Sequence, residues 1–263
     1  MTLVACKITA MRGRHVGVCV LLFLAVWGAF AASSRADGAR FRRVAAGIEH
    51  ATFEVSPRDS EPFSGHAFKI DLDAANLRLV PAGEPTARRT IEEIAAPYPA
   101  VVAINASFFD REGRAMGLAI YDGGAAGGSK LKNWGALVIS DRARIMLGAD
   151  LQEPVTHRLV VQGIPRLVIA GKVPQLKPQI AERTAVCAEG SIVIFVVTTR
   201  AESTPFARFL AERPENGGLG CVDALNLDGG PSTQLTVRLP SLAFSSAGRW
   251  GVPNALVAAP GRK

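Results

Sequence analysis

Asp223-Ala-Leu-Asn-Leu-Asp-Gly-Gly-Pro-Ser-Thr-Gln234 is the stretch on which the fold turns. Ala224, Leu225 and Leu227 make a short apolar run of the length and composition of a buried strand, and the run ends on a carboxylate, Asp228. Gly229 and Gly230 then let the backbone turn sharply or approach a ligand closely, and Ser232, Thr233 and Gln234 follow within one turn. Read this way, a strand delivers a carboxylate, hydroxyls and backbone N–H groups to one small volume, where a polar substrate fits. Asp-Gly is equally a hairpin signature, in which Asp228 is no more than the first residue of a tight primed turn. The stretch alone leaves both readings standing.

Outward from it, the clearest counterpart is Val101-Val-Ala-Ile104, an unbroken apolar run expected to be a central strand, which hands over to Asn105. An amide at that strand end can donate and accept at once, suiting sugar hydroxyls or a neighbouring carboxylate, or it can close an Asx turn. Short alternating runs predict further strands at 50–55, 66–72, 77–80, 117–121, 134–140, 144–147, 159–162, 167–170, 185–187 and 192–198, with a closing strand before Ala259. Thr90, Glu92 and Glu93 open a helix that stops before Pro97. Phe206, Phe209 and Leu210 give an apolar side to a second helix over 204–212. A Gly-rich loop at 123–129 lacks the Gly-Lys-Ser/Thr of a phosphate loop and reads as a flap. About a dozen strands and two helices, without regular alternation, predict an α+β fold: a mixed, largely antiparallel sheet core with few helices, in a single domain.

The 263 residues suffice for such a core without staples, and hydrophobic (48%) and charged (20%) fractions exclude a disordered chain. Residues 1–36 read as an export signal: Lys7, Arg12 and Arg14 precede an apolar run at 16–30, with small-x-small cleavage positions after Ala31 and after Ala36. The run is short for a membrane span, so no stable anchor is expected after cleavage, and the domain is expected over 37–263, with a loose lead-in at 37–44. Removing Lys7, Arg12, Arg14 and Arg35, four cations and no acid, takes the formal charge from +7 to +3. With few aromatics and no basic run, a nucleic-acid surface is not expected. Cys187 and Cys221 are the cysteines left, either as a disulfide or as two buried thiols.

Taken in order, Asn105-Ala-Ser-Phe-Phe-Asp110, Gly117-Leu118, Gln162-Gly-Ile-Pro-Arg-Leu167, Arg183-Thr-Ala-Val186, Asn226-Leu-Asp-Gly-Gly-Pro-Ser-Thr233 and Val252-Pro-Asn254 resemble the phosphodiester glycosidase family. The resemblance implies a hydrolase that cleaves the anomeric C–O bond of a sugar-1-phosphodiester, carried by a small molecule or a glycan. It implies Asp228 as nucleophile or base and Asn105 as its orienting amide. Arg183, and less directly Arg166, would neutralise the phosphate, with Gln162, Thr184, Gly229, Gly230, Ser232 and Thr233 on the substrate side. Asp110, Glu182 or Asp223 could supply a second carboxylate. The chain departs from the family pattern at Ala106-Ser107, Ile164 and Pro231, which bears on substrate identity. No cofactor is expected; an oxygen-ligated Ca2+ or Mg2+ at Asp228 would leave no spacing signature and stays open. The alternatives are a non-catalytic envelope module that binds polysaccharide or phosphoglycan, and a phosphodiesterase cutting on the phosphorus side. His50, His66 and His157 show no paired spacing for zinc.

Overall fold

The structure, a computed structural model, describes residues 39–121, 124, 126–152 and 157–261. The expected export segment at 1–36 lies outside them, as do two positions of the Gly-rich loop. Among the described residues no helix is long and apolar enough to cross a membrane.

The chain opens with β1 (Arg42–Ala45), β2 (Ile48–Val55), β3 (Phe63–Asp71) and β4 (Ala75–Pro81). Arg42–Ala45 is therefore strand, where a loose lead-in was expected, because Arg42 and Arg43 find ladder partners in His50 and Glu49. Next comes α1 (Ile91–Ala95), closed by a capping box in which Thr90 Oγ1 accepts from the Glu93 N–H and the Glu93 carboxylate accepts from the Thr90 N–H. β5 (Val101–Asn105) is buried along its whole length. β6 (Ala119–Ile120), β7 (Ala126–Gly127), β8 (Gly135–Ile139), β9 (Ala143–Leu147), β10 (Leu159–Gly163) and β11 (Arg166–Val168) are short. The long pair β12 (Ile180–Glu189) and β13 (Ile192–Glu202) leads into α2 (Ser203–Ala211), followed by β14 (Ala224–Asn226), β15 (Leu235–Leu239), β16 (Leu242–Ser246) and β17 (Asn254–Pro260).

Among the described residues three sheets result, ordered β1-β2-β3-β13-β12-β14-β11, β7-β6-β10-β8-β9 and β16-β15-β5-β17-β4, and every ladder within them is antiparallel. With two α-helices beside them among the described residues, the fold is α+β, and the described residues belong to one compact unit. The hairpin reading of Asp228 fails here. β14 pairs with β11 and β12, whereas β15 pairs with β5 and β16 in another sheet, so the Asp228–Gly230 turn passes the chain between sheets.

The sheets face each other across a shared core in which Phe68, Val186 and Phe195 meet Leu79, Ile104 and Leu256 from one side and Leu137, Ile139 and Val161 from the other. Each such side chain contributes roughly 1.5–3 kcal/mol on burial, so this core and not the polar site holds the sheets together. Strand alternation divides β12 between two environments. Val186 and Ala188 enter the shared core, while Ala185 and Cys187 enter a second core under α2 with Phe206, Phe209 and Leu210. Cys187 and Cys221 form a disulfide, their Cα atoms 5.7 Å apart, which resolves that pair in favour of the bridge.

Candidate active site

β5 and β14 belong to different sheets, yet their ends converge. Asn105, fully buried at the last position of β5, donates from Nδ2 to the Asp228 carbonyl (2.7 Å). Its Oδ1 accepts from Thr184 Oγ1 (2.7 Å) and from the Gln234 N–H (3.1 Å). One amide thus joins β5, β12 and both sides of the Asp228 turn, which no Asx turn would require. The backbone repeats the arrangement: the Asp228 N–H donates to Ala106 (3.1 Å) and the Leu227 N–H to Thr184 (2.9 Å). A wrong residue at 105 leaves several buried groups unpaired at once.

Asp228 itself is partly open to solvent. Burial of most of its carboxyl raises the pKa from 3.8 to about 6, against the opposing pull of the Ser232 hydroxyl and the Gly229 N–H. The Gly229 N–H donates to Oδ1 (3.0 Å). Ser232 Oγ is buried beside that carboxyl without a hydrogen-bond partner, and acts on Asp228 by proximity. A carboxylate titrating near 6 can take and return a proton at neutral pH, the property a general base needs.

The glycines are there for steric reasons. A Cβ on Gly229 would stand 2.8 Å from the Glu182 carbonyl oxygen, and Gly230 has φ +58°, a left-handed conformation that a side chain disfavours. Thr233 Oγ1 lies 3.5 Å from Thr184 Oγ1, so two further hydroxyls border the Asn105 amide.

Three predicted site residues are placed elsewhere. Gln162 is a buried clamp: Oε1 accepts from the Leu118 and Leu131 N–H groups, and Nε2 donates to the Leu131 carbonyl, tying the residue before β6 to the loop between β7 and β8. Arg166 pairs with Asp223 (3.2 Å) at the opening end of β14, whereas Asp228 lies past its other end. Arg183, expected to meet phosphate, points away from Thr184 and Asn105. Its guanidinium donates to the Gln179 and Ala201 carbonyls and to Ser203 Oγ, on the face of β12 that carries α2. The expectation placed Arg183 before a strand starting at Ala185, but β12 starts at Ile180, so Arg183 obeys strand alternation and takes the face opposite Thr184. Arg183→Ala is therefore expected to lower folding stability by about 2–3 kcal/mol, the effect of leaving buried acceptors unpaired. Thermal melting against Arg183→Lys would read it; a variant that melts with the parent would remove this structural role.

Of the candidate second carboxylates, Asp110 is paired with Arg114 and Asp223 with Arg166. Glu182 instead lines an open cleft of about 1440 Å3 together with Gly230, Thr233 and Arg249. Asp228 is not among the lining residues; the cleft reaches the corner through Gly230 and Thr233. Glu182 and Arg249 pair at 3.3 Å, and the Glu182 backbone N–H, followed by the Arg249 guanidinium, holds the Glu182 pKa below the usual range. Arg249 escaped the sequence reading because it sits in an unpatterned loop, which Arg249 and Trp250 N–H bonds to the Pro231 carbonyl bring beside the turn. Asn254 is a second buried organiser, accepting from the Ser107 N–H (2.9 Å) and donating to Ser107 Oγ and the Tyr121 hydroxyl. Its place in Val252-Pro-Asn254 was the available signal. Among the described residues no three His, Cys, Asp or Glu side chains gather as a metal site.

The phosphodiester glycosidase family matches residues 98–259, which include Asn105, Thr184 and the whole stretch from Asp223 to Gln234. No curated protein matches the chain in sequence. Among solved structures, the catalytic domain of zebrafish N-acetylglucosamine-1-phosphodiester alpha-N-acetylglucosaminidase, auto-inhibited by its pro-peptide, is similar at 18% identity and a TM-score of 0.62, over 87% of this chain and 88% of that one. A hypothetical protein from Synechocystis is similar at 18% identity and TM-score 0.53, over 81% of this chain and 62% of that one. A Burkholderia pseudomallei protein described as exported is similar at 12% identity and TM-score 0.57, over 85% and 96%. These structural likenesses are likenesses of fold.

Proposed function

Because the chain belongs to the phosphodiester glycosidase family, we propose that it is an exported hydrolase that cleaves the anomeric C–O bond of a sugar-1-phosphodiester and releases the free sugar. Export is supported by the character of residues 1–36, by the Cys187–Cys221 disulfide, which persists in oxidising compartments, and by the exported Burkholderia neighbour. On this reading residues 1–36 are removed and 37–263 form the hydrolase domain.

The observation that carries the activity is the Asp228 carboxylate, raised to about 6 and held where two strand ends meet. Its leaving group would be a phosphate monoester, a weak base, so little acid assistance is needed. The C–O bond to phosphate breaks with its electron pair leaving on the phosphate oxygen. A water oxygen bonds to the anomeric carbon and gives one proton to the ionised Asp228 carboxylate, which acts as general base. Asn105 positions Asp228 through its carbonyl, while Thr184, Ser232 and Thr233 border the site as hydroxyl partners. Phosphate neutralisation falls to Arg249, which shares the cleft with Gly230 and Thr233.

Hydrolysis of a sugar-1-phosphodiester in 18O-labelled water tests the bond that breaks. Label in the free sugar and an unlabelled phosphate monoester are expected; label in phosphate, with sugar-1-phosphate released, would make the protein a phosphodiesterase. Binding without turnover across a panel of sugars would leave a glycan-binding module. Arg249→Ala is expected to lower kcat/KM by about 10- to 100-fold, the worth of a charge-assisted contact of roughly 1.5–3 kcal/mol. An unchanged kcat/KM would assign the phosphate to another group.

A further inference from the structure

We propose that the cleft beside the Gly229–Gly230 turn is an extended subsite for a phosphodiester-linked glycan chain, so that the substrate is a run of sugar phosphates and not one terminal sugar. The proposal rests on the activity inferred above. At about 1440 Å3 the cleft exceeds the roughly 300–1000 Å3 usual for a site holding one small ligand. It is also long. Its floor crosses the seven-stranded sheet from β1 through β2, β3 and β13 to β12, four strand-to-strand steps of about 4.8 Å, or roughly 19 Å.

Strand alternation sets what that floor offers. Arg42 and Val44 of β1 line it together with Arg40, which lies just before that strand, and His50, Thr52 and Glu54 share one side of β2. Cations stand at both ends: exposed Arg42 on β1 with exposed Arg40 just before that strand, and Arg249 beside Gly230. Between them lie hydroxyls from Thr52, Ser64, Thr199 and Ser245 and the stacked rings of His50 and His66, which pack on Phe68 and Phe244. The His50 and His66 ring nitrogens meet at 3.0 Å, and burial lowers both pKa values, His50 to about 4. The histidine pair and the hydroxyls thus make an uncharged platform in the middle of the cleft at neutral pH, with Glu54 at its β2 side and Glu182 paired with Arg249 at the Gly230 end. Sugar rings fit that middle and phosphates fit the two arginine ends. A lone sugar phosphate held at Gly230 and Arg249 leaves Arg40 and Arg42 unused.

The test uses defined oligomers of a sugar-1-phosphodiester with one, two and four repeats. In the parent, kcat/KM is expected to rise at least tenfold from one repeat to four, and in Arg40→Ala/Arg42→Ala that ratio is expected to fall below threefold. Equal kcat/KM at all lengths, or a ratio kept in the double variant, overturns the extended subsite while leaving free-sugar release intact. If no length yields free sugar, the proposed reaction fails and binding decides the cleft. Calorimetric titration of the same oligomers should then give a Kd at least tenfold lower for four repeats than for one, and a length-independent Kd overturns the proposal. A single-stranded oligonucleotide of equal charge that binds as tightly as four repeats also overturns it, by reducing the cleft to a charge effect.

Discussion

Asp228→Asn is expected to lower free-sugar release by about 1000-fold, within the range for loss of a general base, and to make the folded protein more stable above pH 6. The two effects share one cause. Burial raises the Asp228 pKa above its unfolded value, so the folded state holds the proton more tightly and stability falls as pH rises from 3.8 through about 6. Above that window the ionised carboxylate opposes folding by on the order of 2–3 kcal/mol. Asparagine removes the charge and keeps the shape. The melting temperature of Asp228→Asn should exceed that of the parent at pH 8 and match it near pH 3.5, where both side chains are neutral. In the parent, kcat/KM should rise with pH through about 6 as Asp228 ionises. A variant that keeps a tenth of the activity would reduce Asp228 to a structural turn residue, and equal melting at pH 8 would show that its carboxylate is well solvated.

Removing the Cys187–Cys221 bridge is expected to lower stability by about 3–4 kcal/mol, because it closes a loop spanning 34 positions and its loss restores that freedom to the unfolded chain. For a domain of this size the melting temperature would fall by roughly 10 °C. The double variant Cys187→Ala/Cys221→Ala avoids leaving a lone thiol. The bridge ties β12 to the segment entering β14, where Cys187 pairs with Ala224 and the Cys221 N–H reaches the Leu210 carbonyl of α2. Hydrogen exchange should therefore quicken first in β14, the strand that carries Asp228. Identical melting of the oxidised protein and the double variant would show that the second core alone holds this corner.

Several elements were legible because their signals are local. The Thr90 cap, the apolar run of β5 and the Phe206, Phe209, Leu210 stripe each depend on residues within a turn or two, and each appears where expected, to within a few residues. Arg42–Ala45 was not legible, because a short polar edge strand is defined by its partner β2 and not by its own composition. The placement of Arg183 was not legible for a related reason. With β12 expected to start at Ala185, Arg183 read as a strand-edge residue free to face the site, whereas a strand running from Ile180 fixes it on the face opposite Thr184.

The amino-acid sequence by itself determined the α+β class, the strand that ends near Asp228, the glycines that let the chain turn there, and the family to which these motifs belong. Apolar periodicity and backbone chemistry act over a few residues and are written in order along the chain. Only the tertiary structure decided that Asn105 holds Asp228 across 123 positions and meets Thr184 across 79, that β14 and β15 lie in different sheets, and that Arg249 rather than Arg183 stands beside the turn. Those facts follow from how three sheets close on one core. Burial energy selects that closure collectively, and no short stretch encodes its share.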